Sequence, residues 1–367
     1  MDDRVHEHAA TLVGWSARVE PGDDVVVSVS EGAHDLAVAV AQQLGAVGAN
    51  PVFTYGSSES RRAYLTASDG DAPTFEAGDH ELALYEAADV SLSLGGGRNA
   101  AAMADVPGPV RQAYRRDRRA VREARLSTDW VSTVHPTRSL AQQAGMAHAE
   151  YRDFVYDAVL RDWESLAEEM ARVRRLLDDG SEVRLVADGT DLRMSIEGRT
   201  AVNSAASVAY DSHNLPSGEV FTAPHDTEGE VLFDVPMTID GRRVRDVRLT
   251  FEDGVVTAFE AGENPGVIAE LLETDDGARR LGELGIGMNR AIDRFTDSIL
   301  FDEKMGDTVH VALGRSYDAN LPEGESGNDS AVHQDMIVDV SDDARLEVDG
   351  TVVQRDGTFR WTDDVEE

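Results

Sequence analysis

The stretch Val90-Ser91-Leu92-Ser93-Leu94 reads as a β-strand and decides how the first half of this chain folds. A helix is expected just before it, near 80–88, and a long Arg-rich helix after it, at 109–126. Working outward, Trp130-Val131-Ser132-Thr133-Val134 is the next strand. Upstream lie a short strand at 51–55 and a helix at 33–46 that carries Leu36, Val38, Val40 and Leu44. The β-branched run Val25-Val26-Val27 follows the turn Glu20-Pro21-Gly22-Asp23, and residues 5–17 read as a helix. Strand–helix–strand alternation predicts a mainly parallel sheet covered by helices.

A charged helical stretch, about 149–178, follows. Its apolar positions Leu160, Trp163, Leu166, Met170, Val173 and Leu177 recur at steps of three or four, and Asp178-Asp179-Gly180 stops it. Beyond it the chain is strand-rich: 182–187, 191–196, 229–234, 242–251, 254–261, 307–313, 334–340 and 345–354, with one helix at about 265–280. Asp240-Gly241, Asp253-Gly254 and Asp349-Gly350 mark hairpin turns. Two domains are therefore expected, an α/β domain over 1–175 and an α+β domain over 180–367.

Composition limits what these domains do. The 367 residues include 70 Asp plus Glu against 34 Lys plus Arg, a formal charge of −36. Such a surface repels phosphate backbones and excludes a nucleic-acid partner. There is no cysteine, which excludes disulfides, zinc fingers, iron–sulfur clusters and a thiol nucleophile. No apolar run approaches the ~20 residues that span a bilayer. Met1-Asp2-Asp3-Arg4 has no apolar signal core, so a cytoplasmic protein without a membrane partner is expected. Lys304 is the only lysine, leaving 33 arginines. Excess acid with almost no lysine reads as adaptation to molar salt, where the Debye length falls to about 3 Å; the alternative is a high-GC codon bias towards arginine in an ordinary acidic protein.

Several motifs invite chemistry and lack what it needs. Gly95-Gly96-Gly97-Arg98-Asn99-Ala100 fits the G-x-G-x-x-A dinucleotide pattern. The next strand ends Thr133-Val134-His135-Pro136, without the acidic residue that would hold a ribose, so a plain glycine-rich loop is expected. No G-x-S-x-G elbow is present. His6-Glu7-His8 is not a zincin motif, and both imidazoles are expected to be solvated at a frayed terminus. The C-terminal half differs. On a strand, residues i and i+2 share a face, so His333 and Asp335 can grip one ion together. His310 lies in a second strand pattern. Glu219 and Glu283 each stand among apolar and small residues, where a carboxylate needs a cation or a proton. Two imidazoles and three carboxylates suit a pair of divalent ions such as zinc, cobalt or manganese. Taken alone, the same spacing also describes an ordinary exposed pair on a strand.

The stretches Pro216–Pro224 (PSGEVFTAP), Leu281–Asn289 (LGELGIGMN), Asp302–Tyr317 (DEKMGDTVHVALGRSY) and Asn328–Asp335 (NDSAVHQD) go further. With weaker echoes in Ala17–Val25, Gly189–Leu192 and Gly198-Arg199, they resemble the aminopeptidase T (thermophilic aminopeptidase) family of dinuclear metallopeptidases, in family order over nearly the whole chain. The resemblance implies two divalent ions held by Glu219, Glu283, His310, His333 and Asp335, with Tyr317 as an active-site residue. It also implies hydrolysis of N-terminal residues from peptides with a free N-terminus by a metal-activated water. One ion would polarise the scissile carbonyl and the other hold the α-amine. Glu283, with Glu219 as second choice, would shuttle the proton, and Tyr317 would donate to the oxyanion. A homodimer with enclosed active sites is implied as well. The chain departs from the pattern in its shorter length and in a trimmed loop over 314–330. The survival of Lys304 inside a family motif reads either as a local need for a compact ammonium group or as a single leftover lysine without a role. Two alternatives stay open: another dinuclear hydrolase such as a phosphoesterase, for which Arg290, Lys304 and Arg315 are the nearby basic residues, and a non-catalytic ligand-binding protein using the Gly95 loop.

Overall fold

A computed structural model describes residues 2–67, 75, 78–239 and 242–362. The expected turn at Asp240-Gly241 lies outside them. The chain divides into two compact units, Met1–Arg161 with Ala206–Pro216, and Asp162–Ala205 with Ser217–Glu367.

The first unit is α/β. Its sheet runs Asn50–Gly56, Asp24–Ser30, Val90–Gly95, Asp129–Val134 and Asn214–Leu215, with every neighbouring pair parallel. Val25, Val26, Val27 and Val29 are all buried, as expected for a parallel strand covered on both faces. The helix His34–Val47 buries Leu36, Ala37, Ala39, Val40 and Leu44 and ends at Gly48, whose φ of 87° suits a residue without Cβ. The N-terminal helix corrects one expectation. Val5, His8 and Ala9 are buried on one face, and His8 is no solvated side chain: its Nε2 lies 2.8 Å from Thr133 Oγ1. Burial pushes its pKa down to about 3.

The helical stretch expected at 149–178 is two helices, His148–Val159 and Trp163–Asp179. The boundary expected near 175–180 falls between them, because the second helix packs on strands of the second unit, Val202–Ser204 and Glu219–Thr222. Asp162 caps it by accepting from Ser165 N at 3.0 Å, and Trp163, Leu166, Ala167, Met170, Val173 and Leu177 form its buried stripe. Burial of each large side chain stabilises by roughly 1.5–3 kcal/mol.

The second unit is strand-rich and antiparallel. An eight-stranded sheet runs from Val255–Glu260 to Thr358–Phe359. A five-stranded sheet, in the order His333–Asp339, Thr308–Gly314, Leu281–Gly287, Glu219–Thr222 and Val202–Ser204, carries the candidate site. Every residue of Leu281–Gly287 and Thr308–Gly314 is buried. Leu281–Gly287 escapes pattern reading because Gly282, Gly285 and Gly287 lower its strand propensity. Among the described residues no helix is long and apolar enough to cross a membrane.

Candidate metal centre

The five-stranded sheet turns one face toward the site. Register places Phe221, Gly285, His310 and Ile337 in one cross-strand row, and Glu219, Gly287, Thr308 and Asp339 in the next. Glu283 and Asp335 both stand opposite Ala312. Period-two alternation therefore sends Glu219, Glu283, His310, His333 and Asp335 to the same face, with glycine and alanine between them. The small residues make room. A Cβ on Gly285 would fall 2.1 Å from the His310 ring. Gly218, at φ 114°, is pinned under Asn289, which donates to Ser217 O at 3.0 Å and so fixes the start of the Glu219 strand.

The ligand atoms converge. One each from Glu219, Glu283 and His310, all three residues buried, lie within 4.8 Å of one another. His310 Nε2 is 3.1 Å from Glu283 Oε1 and 3.7 Å from Glu219 Oε2. His333 Nε2 is 3.6 Å from Glu283 Oε2 and 3.6 Å from Asp335 Oδ1. Glu283 thus turns one oxygen to each imidazole. His333 Nδ1 lies 2.9 Å from Arg315 O; donating there leaves Nε2 as the acceptor that faces the cluster.

Charge is the unusual feature. Glu283 and Glu303 lie close enough to raise the pKa of both Glu219 and Asp335, and the ammonium of the fully buried Lys304 contacts Glu303 and lies 3.3 Å from Glu219 Oε1. Burial pushes the Glu219 carboxyl up to about 8 against the pull of Lys304. Burial, then the charges of Glu303 and Glu283, push Asp335 up to about 6. Burial disfavours a charged His310, yet its hydrogen bond to Glu283 and the surrounding carboxylates outweigh this and raise it to about 9. The same contest, won by Glu219 and Glu303, holds Lys304 above the ordinary lysine range. Glu219 Oε2 and Asp335 Oδ1 are buried without a hydrogen-bond partner. Orphaned carboxylate oxygens next to imidazole nitrogens are a donor set that fits divalent metal.

Tyr317 follows the Thr308–Gly314 strand. Its hydroxyl is 3.4 Å from His333 Nε2, and its ring packs edge-on against His333 and Phe221. Partial burial and the charges of Glu283 and Asp335 push the phenol's pKa up, so it stays protonated and able to donate. Glu303 is the group that sequence reasoning passed over. Its neighbour Lys304 was the available signal, since a buried ammonium needs more than one carboxylate. Two carbonyls of the Gly95 loop are engaged locally, while Gly95 and Gly97 line a cavity of about 600 Å³. Gly96 O accepts from Gly32 N at 2.8 Å, and Gly97 O accepts from Thr137 and Ser139.

A family model described as thermophilic metalloprotease (M29) matches residues 1–359. Aminopeptidase 2 of Geobacillus stearothermophilus is 30% identical, over 62% of this chain and 62% of its own length. Aminopeptidase T of Thermus aquaticus is 37% identical, over 40% of each chain. These two matches span less than two thirds of the relatives' length. Aminopeptidase T of Thermus thermophilus is 29% identical over 93% of this chain and 92% of its own. The solved structure of wild-type AmpT from Thermus thermophilus superposes with a TM-score of 0.84 at 24% identity, covering 98% of this chain and 99% of that one, a likeness of fold.

Proposed function

The chain belongs to the M29 family of thermophilic metalloproteases, and from that premise we propose that it is an aminopeptidase that uses two divalent ions to release N-terminal residues from peptides. The observation that carries this reading is the shared sheet face on which Glu219, Glu283, His310, His333 and Asp335 meet with unpartnered carboxylate oxygens. Those five residues would hold the ions, zinc, cobalt or manganese. When bound, such ions supply Lewis acidity toward a carbonyl oxygen and make a neighbouring water easier to deprotonate.

The chain's own residues do the rest. Glu283 reaches both imidazoles and is the first choice to take the proton of the attacking water and pass it to the leaving amine. Glu219 is second, because Lys304 beside it favours the charged form. Tyr317, a protonated donor at the rim of the cluster, would stabilise the oxyanion. A free α-amine suits a site so rich in carboxylates. The phosphoesterase alternative loses support, since Lys304 is engaged by Glu219 and Glu303, and Arg290 by Asp307.

The decisive experiment reconstitutes the metal-free protein with zinc, cobalt or manganese singly and assays aminoacyl amides, their N-acetylated forms and phosphate esters. Hydrolysis of the free amides alone is expected; cleavage of blocked amides or of phosphate esters overturns the reading. The proposal includes a cytoplasmic homodimer with enclosed active sites. Light scattering that returns the 39.8 kDa monomer mass removes the dimer.

A further inference from the structure

The strand His333–Asp339 is the outermost of the site's sheet, with Thr308–Gly314 as its one neighbour. Facing residues of an antiparallel pair alternate between bonded and unbonded. Two bonds fix that phase at both ends: Arg315 N donates to Val332 O at 2.8 Å, and Val340 N to Asp307 O at 3.0 Å. The main-chain groups of Gln334, Met336 and Val338 therefore face the neighbouring strand. Those of Asp335, Ile337 and Asp339 face away from it. The bond from Asp339 N to Asp234 Oδ1, 3.1 Å, agrees with this phase. Asp335 O accepts from the Gln334 side chain at 3.0 Å. Among the described residues, the N–H of Asp335 and both main-chain groups of Ile337 have no partner. Ile337 is nevertheless buried, and covered backbone groups are ordinarily paired.

A cavity of about 260 Å³ runs along this edge. It meets side chains of both strand faces, His333, Asp335 and Ile337 on one and Gln334 and Met336 on the other, as only a groove beside the edge can. Its other lining is mixed, with Val235, Met237, Phe295 and Ile299 beside the carboxylates of Asp297 and Asp302. His333 and Asp335 line it, so it borders the candidate metal centre.

We propose that the peptide substrate adds to this edge as a sixth strand. Its main chain bonds to the outward groups of Asp335 and Ile337, while a side chain enters the cavity beside the strand. This deepens the aminopeptidase reading and rests on it for the position of the peptide's N-terminus. Main-chain pairing gives affinity without dictating sequence. Strand pairing also has a signature that general stickiness lacks, since only every second amide of the peptide faces the edge.

The test uses metal-loaded wild-type protein and a set of pentapeptides whose first peptide bond is reduced to CH2–NH, so that they are not cleaved. Each remaining amide is N-methylated in turn, Kd is measured by calorimetry, and turnover of leucine p-nitroanilide is followed in parallel. Methylation at alternate positions should weaken binding by about tenfold or more, with little effect between them. Equal effects at all positions, or no peptide binding, overturn strand addition, and turnover of the anilide then still supports the aminopeptidase reading. Alternation without anilide turnover supports strand addition and removes the aminopeptidase reading instead.

Discussion

Lys304 Nζ lies 3.3 Å from Glu219 Oε1, in a protein that uses lysine nowhere else. The ammonium is fully buried and is shared with Glu303. Arginine, which serves every other basic position, carries a wide planar fork; this enclosed position holds a compact point charge.

Removing that charge leaves buried carboxylates unpaired. Lys304→Met is expected to lose about 3–5 kcal/mol of stability in urea unfolding of the metal-free protein, the cost of breaking a buried pair from one side. Lys304→Arg should not rescue it. A Met variant as stable as the wild type would mean that the ammonium is dispensable.

Gly285 tests the geometry of the metal centre from outside the ligand set. An alanine there must push the His310 ring aside, since its Cβ would fall 2.1 Å away. Gly285→Ala should cost roughly 1–3 kcal/mol through overpacking and lower the metal content of purified protein. Full stoichiometric metal in this variant would show that the His310 ring can move without loss.

Metal binding should be coupled to proton release. Glu219 and His310 are raised to about 8 and about 9, so the metal-free cluster holds protons at pH 7 that an incoming ion expels. Apparent metal affinity should therefore climb as pH rises from 6 to 9. Calorimetry in buffers of different ionisation enthalpy measures the released protons directly, and a pH-independent affinity would contradict the assignment. His333→Ala and Asp335→Ala should lose metal. Glu283→Gln, which keeps one oxygen but not the basicity, should keep more metal than Glu283→Ala while losing turnover.

Tyr317→Phe separates chemistry from packing. If the phenol donates to the oxyanion, kcat falls by roughly 10²–10³ with little change in KM, because the bond strengthens mainly in the transition state. Metal content and Tm should stay near wild type. A Phe variant with normal kcat leaves Tyr317 as a ring packed on His333 and Phe221.

High salt should be required for stability. At a formal charge of −36, lowering the ionic strength restores self-repulsion that a Debye length of about 3 Å removes at 1 M. Dialysis into dilute buffer should lower Tm and activity together, and an unchanged Tm would set aside the halophilic reading of the composition.

How much of this was legible in the chain follows from what is local. Period-two and period-3.6 patterns reveal which residues are apolar on which face, so the parallel sheet of the first unit and the amphipathic helix Trp163–Asp179 were readable. The helix's allegiance to the second unit was not, because an apolar stripe does not say what covers it. Leu281–Gly287 hid behind its glycines, whose role, space for the His310 ring and for other close-packed atoms, exists only once neighbouring strands are in register. His8 was misread for the same reason: solvation is a property of the packed helix, not of a position near a terminus.

The order of the chain by itself determined the acidic surface, the absence of thiol chemistry, the i and i+2 placement of His333 and Asp335 on one strand face, and the motifs that align with the M29 family. Tertiary structure decided what those residues do to one another. Glu219, Glu283 and His310 are separated by dozens of residues, and cross-strand register alone brings them within 4.8 Å and out of water. Burial then raises Glu219 and sets the need for a nearby positive charge, which Lys304 supplies. Desolvation and Coulomb energy depend on distance and cover in space, which no pattern along the chain encodes.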